Sequence, residues 1–181
     1  MSTLRQITDE ASTQLLDKIT WLDGAYGLAQ RIERVVNGKK VVTPTYYKGD
    51  STYTKEYVEL LPDKKLGNYC FFWLLDPEKY EYISRRPGII HSPVALIFWF
   101  DTREVFQADN VRDLEALKLE ILKVISREFR LSAGRVFFNK VFSHGNNIFR
   151  EFTLDEIDNQ SLVHPYAGLR FEGEIVFDEP C

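Results

Sequence analysis

The sequence has few cysteines and histidines and no apolar run long enough to span a membrane. It contains two cysteines and three histidines in 181 residues, so we expect Cys70 and Cys181 to be free thiols and not a disulfide framework. The longest apolar runs, residues 69–75 and 94–100, have about a third of the roughly 20 residues that a membrane helix requires. Residues 2–14 lack the charged and apolar parts of a secretory signal, so we expect an intracellular protein without a membrane segment.

The charge balance and length indicate one ordinary globular domain. The chain has 23 basic and 27 acidic residues, a net charge of −4, and 44% hydrophobic residues. A single domain of this size buries about 70% of the surface of its unfolded chain and needs no disulfide or metal to fold. Because duplex-binding surfaces are rich in Lys and Arg, the acidic balance argues against specific DNA binding. We find no linker or internal repeat, and we treat residues 1–181 as one domain.

Two segments have the apolar spacing of amphipathic helices. The spacing predicts a first helix over about residues 3–22, ended by Asp23-Gly24, and a second over about residues 110–129. We expect Asn110 to cap the second helix, with Asp113 three residues further on in a weak capping box. The apolar stripes that carry these two predictions consist of Leu4, Ile7, Ala11, Leu15, Ile19 and Leu22 in the first segment, and of Leu114, Leu117, Ile121, Val124 or Ile125, and Phe129 in the second.

The remaining pattern predicts strands. Asn37-Gly38 between β-branched runs indicates a hairpin with a tight turn. Residues 68–75 and 94–100 are apolar on both faces, which predicts central strands covered on both sides. Residues 76–91 are expected to form a connection with little regular structure, residues 135–142 a strand, and residues 153–156 a one-turn helix.

The last element alternates strictly between apolar and mostly polar residues. Leu169, Phe171, Gly173, Ile175 and Phe177 alternate with Arg170, Glu172, Glu174, Val176 and Asp178. Such alternation predicts a strand with one buried face and one mostly solvated face. The fold class is therefore α/β (α+β), with a mostly antiparallel sheet packed against two main helices.

The residues that carry chemistry do not form any recognisable reactive pattern. His91, His144 and His164 have no second ligand at a metal spacing, and Asp155, Glu156 and Asp158 lack the rest of a calcium loop. Ser143 precedes His144 outside any nucleophile-elbow motif, and no glycine-rich phosphate loop occurs. We therefore expect no catalytic, cofactor or metal site and no enzymatic activity.

Aromatic residues are the more unusual signal, at 14% of the chain. Phe71, Trp73, Phe98 and Phe100 are expected to fill the sheet core. Other aromatic residues lie in loops or edge segments, where an association surface and an ordinary half-buried surface are both open. The candidate interface residues are Tyr46, Tyr47, Tyr53, Tyr57, Tyr80, Tyr82 and Tyr166, together with His144, Asn146 and Asn147 of a loop.

The order of elements resembles that of the tail terminator and tail-completion proteins of long-tailed bacteriophages. The similarity is best over residues 92–100, which precede the second helix, and over residues 165–177, which form the closing strand. Residues 21–27 and the Asn37-Gly38 hairpin resemble virion proteins of phages of gut Bacteroidetes. The family has no invariant motif from which functional residues could be transferred, and residues 47–91 are longer than the corresponding part of small terminators.

The resemblance implies a structural protein of the virion. It implies a homo-oligomeric ring, a hexamer or larger, at the head–tail or tail-end junction, assembled in the host cytoplasm. Its partners would be copies of itself and neighbouring neck, portal-adaptor or tail-tube proteins. DNA would pass nearby without specific binding, and Glu172 and Glu174 are candidate acidic residues facing that channel.

Two other classes of function stay open at this stage. One is a small enzyme or ligand-binding domain with a pocket lined by the tyrosines of the middle segment. The other is a bacterial adaptor that binds a peptide by adding it to a sheet edge.

Overall fold

The computed structural model describes residues 3–50, 55–82, 84, 87–108, 111–127, 129, 131–154 and 162–179. Four helices and eight strands occur in these residues, with a short 3-10 helix at Lys64–Leu66. The helices are α1 (Thr3–Lys18), α2 (Thr102–Phe106), α3 (Leu114–Arg127) and α4 (Gly145–Ile148). The strands are β1 (Gly24–Val36), β2 (Lys39–Asp50), β3 (Lys55–Glu59), β4 (Tyr69–Leu74), β5 (Lys79–Glu81), β6 (Ile89–Asp101), β7 (Arg135–Phe142) and β8 (Tyr166–Asp178).

The eight strands form one sheet in the order β3-β2-β1-β4-β6-β8-β7, with β5 pairing the first residues of β6. All neighbouring strands are antiparallel except β1 and β4, which are parallel. The longest pairing joins β6 to β8 along their whole length, from Ile89 opposite Asp178 to Asp101 opposite Tyr166. The predicted fold class, a mostly antiparallel sheet with two main helices, is confirmed.

Helices α1 and α3 cover one face of the sheet, here called the helix face. Their apolar stripes contribute Ala11, Leu15, Leu117 and Ile121 to a core in which the sheet residues Cys70, Phe72, Leu96, Phe98, Phe100, Leu169 and Phe171 are also buried. Burial of each such side chain stabilises the fold by about 1.5–3 kcal/mol before conformational entropy is subtracted. The sequence stripe predicted this face because apolar residues three and four apart share one side of a helix.

Residues 145–154 cover the opposite face, here called the second face. Phe149 and Phe152 pack there on strand β4, where the Phe152 and Trp73 rings meet edge to face at 4.7 Å between centroids. Strand β4 is therefore buried on both faces, as its continuous apolar run predicted.

The Asn37-Gly38 hairpin is confirmed in detail. Asn37 and Gly38 have φ angles of 51° and 77°, and they join β1 to β2 with Val36 opposite Lys39. Two consecutive positive φ values define the type I′ turn whose twist matches the flanking strands. Beyond Ala29, strand β1 leaves its parallel neighbour β4 and pairs with β2 alone.

Three expectations about local structure are wrong or concern residues that the structure does not describe. Helix α3 begins at Leu114, and Asp113, not Asn110, caps it by accepting a hydrogen bond from the Ala116 N–H at 2.9 Å. Residues 76–91 contain strand β5 and the start of β6, because the neighbour of β6 changes from β4 to β5 around Pro93. Of the expected helix at 153–156, residues 153 and 154 are in no helix and residues 155 and 156 lie outside the described part, as does Asn110.

Among the described residues, no helix combines the length and the apolar character that a bilayer crossing requires.

Candidate functional site

A cluster of two arginines and two glutamates lies on the second face, between strand β8 and the residues that follow α4. Arg170 is fully buried, and its guanidinium donates to both carboxylate oxygens of Glu151 at 2.5 and 2.6 Å. Its Nε donates to Glu172 at 2.7 Å, and Nη1 also donates to the Ile148 carbonyl at 3.1 Å. Arg150 completes the cluster by donating to the same Glu172 oxygen at 2.5 Å.

This arrangement corrects the prediction of a solvated face on the last strand. Arg170 and Glu172 were expected in solvent, but both are buried because residues 145–152 fold over them. Glu172 is therefore not a channel-facing acidic residue, since its charge is neutralised inside the molecule. Glu174 is half-exposed and keeps the expected accessibility.

The charges in the cluster compensate one another. Burial raises the pKa of Glu151, but hydrogen bonds from Arg170 and Arg150 outweigh that effect and hold its pKa below the ordinary value. Glu151 is thus kept ionised, and both glutamates are paired with the two arginines. A cluster of this kind fixes the position of residues 148–151 against the sheet.

Two clefts open on the second face, on either side of Leu75 and Pro93. The larger has a volume of about 760 Å³ and lies where β1 separates from β4, between Arg31, Trp73, Asp76 and Arg150. The smaller, about 360 Å³, is lined by His91, Lys79, Lys140, Glu172 and Glu174 among others. A third cleft, of about 530 Å³, lies beside β7 and β8 at residues 131–135 and 176–178. None of these three clefts is lined by a tyrosine.

The imidazole of His91 lies between two carboxylates. Its Nδ1 is 3.2 Å from Glu174 Oε2, and its Nε2 is 3.8 Å from Glu81 Oε2. Within the described residues, no group of three or more His, Cys, Asp or Glu side chains has the geometry to hold a metal ion. Cys70 is buried in the helix-face core, and burial raises the pKa of its thiol far above the ordinary value, so its reactive thiolate form is disfavoured.

Three of the candidate tyrosines come together where β2 and β3 pass the start of α1. The rings of Tyr47 and Tyr57 are 4.9 Å apart, and the Tyr46 hydroxyl donates to Asp9 at 3.1 Å. Arg5 donates to the Tyr47 carbonyl at 2.8 Å and lies over both the Tyr46 and Tyr47 rings. This group ties the sheet to α1, and half of the Tyr57 side chain remains exposed.

The other candidate residues lie elsewhere. Tyr80 and Tyr82 are at β5, which pairs with β6 and not with the β2-β3 end of the sheet, and the Tyr80 hydroxyl donates to Glu179 at 2.8 Å. Tyr166 stacks on Trp99 at 5.1 Å, at the opposite end of β8 from Glu179. His144, Asn146 and Asn147 are exposed around α4, and Tyr53 lies outside the described residues. The tyrosines therefore form no single surface.

Strand β7 has the bounds that the sequence predicted, residues 135–142, but the sequence pattern did not predict its position at the edge of the sheet. It is the last strand of the sheet, and in the part of the chain that the structure describes no strand pairs with its outer edge. Phe137 is 52% exposed and Val141 is 36% exposed, one on each face of this edge strand. Exposed apolar edge strands readily add another strand, and natural monomers usually protect them.

Sequence reasoning also missed the pairing of Arg150 and Glu151 with the last strand. A usable signal was the Arg170-x-Glu172 spacing, which places opposite charges side by side on one face of a strand. The matching Arg150-Glu151 pair could have been proposed as its partner on grounds of charge.

Comparison with known proteins adds no family. No protein-family model matches the sequence, and no curated protein is significantly similar to it.

Proposed function

We propose that this chain is a non-enzymatic structural protein of a bacteriophage particle, acting as a homo-oligomeric ring at the head–tail or tail-end junction. The observation that carries the proposal is the exposed edge strand β7 with Phe137 and Val141. The opposite end of the sheet is a different strand, β3, with Tyr57 half-exposed. Two unlike association surfaces on one subunit favour head-to-tail contacts, which form a ring when the rotation between neighbouring copies closes and a filament when it does not.

The resemblance in element order supports the same function. The paired and buried charges of the Arg170 cluster also fit a structural role, because they fix a covering segment without presenting a reactive group.

The test is the assembly state of the purified chain and its presence in particles. We expect native mass spectrometry and electron microscopy to show a closed ring of six or more copies. The edge variant Phe137→Glu with Val141→Lys should lower assembly strongly, whereas Leu119→Lys, at a 57% exposed apolar position on α3, should not. A chain that stays monomeric at every concentration and is absent from particles would contradict the proposal.

A second candidate function rests on the same edge strand. A monomeric adaptor would use β7 to bind an extended peptide by strand addition. It is favoured if the chain is monomeric and a peptide protects the amides of residues 135–142 from hydrogen exchange. The third alternative, a ligand site lined by the tyrosines of the middle segment, stays a prediction; the three clefts described above are lined by other residues.

A further inference from the structure

The outer part of the first hairpin is a basic arm, defined here as residues 30–40. It carries Arg31, Arg34, Lys39 and Lys40 against one carboxylate, that of Glu33. From Gln30 to Val36, strand β1 pairs only with β2, so the arm extends roughly 20 Å beyond its last contact with β4. Most of its side chains are exposed, and Val35 is 76% exposed.

The basic arm keeps a net positive charge after its ion pairs are counted. Glu33 is shared between Arg31, at 2.7 Å, and Lys40, at 2.6 Å, while Arg34 pairs with Glu59 of β3. With four cations and one carboxylate, the arm has a net charge of +3 by itself and +2 when Glu59 is included. These pairs are solvent-exposed, so they exchange partners at little cost.

An acidic patch surrounds strand β5 and the end of β8. It consists of Glu78, Glu81, Glu174, Asp178 and Glu179, of which Glu81 and Asp178 both lie opposite Ile89. Glu78 accepts a hydrogen bond from Ser92 of β6, Glu179 accepts one from Tyr80, and His91 lies between Glu81 and Glu174. The nearby cations among the described residues include Lys79 on β5, Lys140, which lines the same cleft as Glu174, and Arg135, which is opposite Val176; Arg85 and Arg86 lie outside the described part.

The patch also has an apolar centre. Tyr80 and Tyr82 are 54% and 75% exposed and sit among the carboxylates of the patch. This arrangement is typical of protein–protein contact surfaces, in which an apolar centre rich in aromatic residues is enclosed by a polar rim. Val35 gives the basic arm a matching apolar side chain among its cations.

We infer that the basic arm of one copy docks on the acidic patch of a neighbouring copy, with Val35 against Tyr80 and Tyr82. A second copy is the occupant that the charges select, because arm and patch are opposite in sign. Among the described residues, no ion pair joins them within one chain. The inference rests on the proposed ring and names one of its subunit contacts.

Charge reversal on each side tests the contact. The arm variant carries Lys39→Glu with Lys40→Glu, and the patch variant carries Glu81→Lys with Asp178→Lys; all four positions are exposed. Each variant alone should raise the dissociation constant of the assembly at least about tenfold, and an equimolar mixture of the two should restore assembly. The matched control is Lys64→Glu with Lys65→Glu, on the exposed 3-10 helix that precedes β4.

Native mass spectrometry and analytical ultracentrifugation provide the readout, with circular dichroism to verify folding. Wild-type assembly should also weaken as salt rises, since exposed charges are screened. If the wild type forms rings and both reversed variants assemble equally well, the arm contact is overturned and the proposed function stands. If the wild type forms only a reciprocal dimer that both reversals dissociate, the contact stands and the ring is overturned. A wild type that is monomeric at every concentration overturns both.

Discussion

Residues 167–172 of strand β8 are buried on both faces, and the two faces are covered by different chemistry. On the helix face, Leu169 and Phe171 pack beneath α1 and α3 in an apolar core. On the second face, Arg170 and Glu172 lie beneath residues 145–152, in contact with Glu151 and Arg150. The apolar face gains stability from area removed from water, whereas the charged face depends on matched partners in fixed positions.

The two faces of β8 differ more in which covering segment they accept than in how strongly they stabilise the fold. An apolar surface accepts many covering segments of suitable volume. A buried guanidinium accepts only a segment that presents carboxylate and carbonyl oxygens in the correct places, as Glu151 and Ile148 do. We therefore interpret the cluster as the device that fixes the register of residues 148–151 on the sheet.

Removing Arg170 should have the largest effect on stability. Arg170→Ala leaves Glu151 and Glu172 near each other without their buried cation, and we expect a loss of about 3–5 kcal/mol in the free energy of unfolding. Chemical denaturation measures this loss. Arg150→Ala, at a side chain that is 40% exposed, is the control and should lose about 1 kcal/mol or less.

A compensated variant separates charge pairing from packing at the same place. Replacing Arg170 by Met together with Glu151 and Glu172 by Leu should recover most of the stability lost in Arg170→Ala, because no buried charge is then unpaired. Equal loss in the single and the triple variant would show that the cluster contributes through shape and not through charge.

Leu169→Ala tests the apolar face of the same strand. Leu169 is fully buried, so we expect a loss of about 2–5 kcal/mol from the removed apolar area and the cavity that remains. The loss should be the same at pH 7 and pH 4, since no ionisable group of the second face is touched. A loss that changes strongly between these pH values would mean that the two faces are coupled.

The apolar half of this comparison could be predicted from the sequence, and the charged half could not. The stripe of α1 and the Asn37-Gly38 turn are local patterns, and both are buried or formed as predicted, although α1 ends at Lys18, four residues before the predicted end at residue 22. The alternation through Arg170 and Glu172 is equally regular, but the same pattern arises whether the polar face meets water or a matching set of charges. Only the path of residues 145–152 decides between the two cases.

The sequence indicated which residues are candidates for a contact surface, but not which of these residues lie close together. Tyr57 and Tyr80 are exposed, as tyrosines of edge segments were expected to be, yet they lie on different parts of the sheet. The exposure of Phe137 follows from the position of β7 at the edge of the sheet, which is set by strand order. Strand order depends on long-range pairing, and a local pattern carries no information about it.

Acid should weaken the second face through Glu151. Its folded-state pKa lies below the unfolded value, so its contribution to stability is complete above the unfolded pKa and is lost as pH falls through the folded pKa. Glu151→Gln should cost about 1–3 kcal/mol at pH 7, because a charged acceptor of two Arg170 hydrogen bonds is replaced by a neutral one. The difference between the two proteins, measured by denaturation from pH 7 to pH 3, should shrink below the unfolded pKa. A constant difference over this range would contradict the role of the Glu151 charge.

The smallest expected effect is local to the hairpin turn, away from both faces of β8. Gly38 has a φ of 77°, and a Cβ placed there meets no atom within 4 Å, so Gly38→Ala changes only the backbone preference. We expect a loss of about 1 kcal/mol, since an L-residue is disfavoured at positive φ. Gly145→Ala is the matched control, because an added Cβ at Gly145 has ordinary contacts of 3.5 Å or more with Leu162 and its φ is not in the positive region. That variant should be neutral or slightly stabilising in the same denaturation experiment, and equal losses at the two glycines would show that the turn conformation is not the cause.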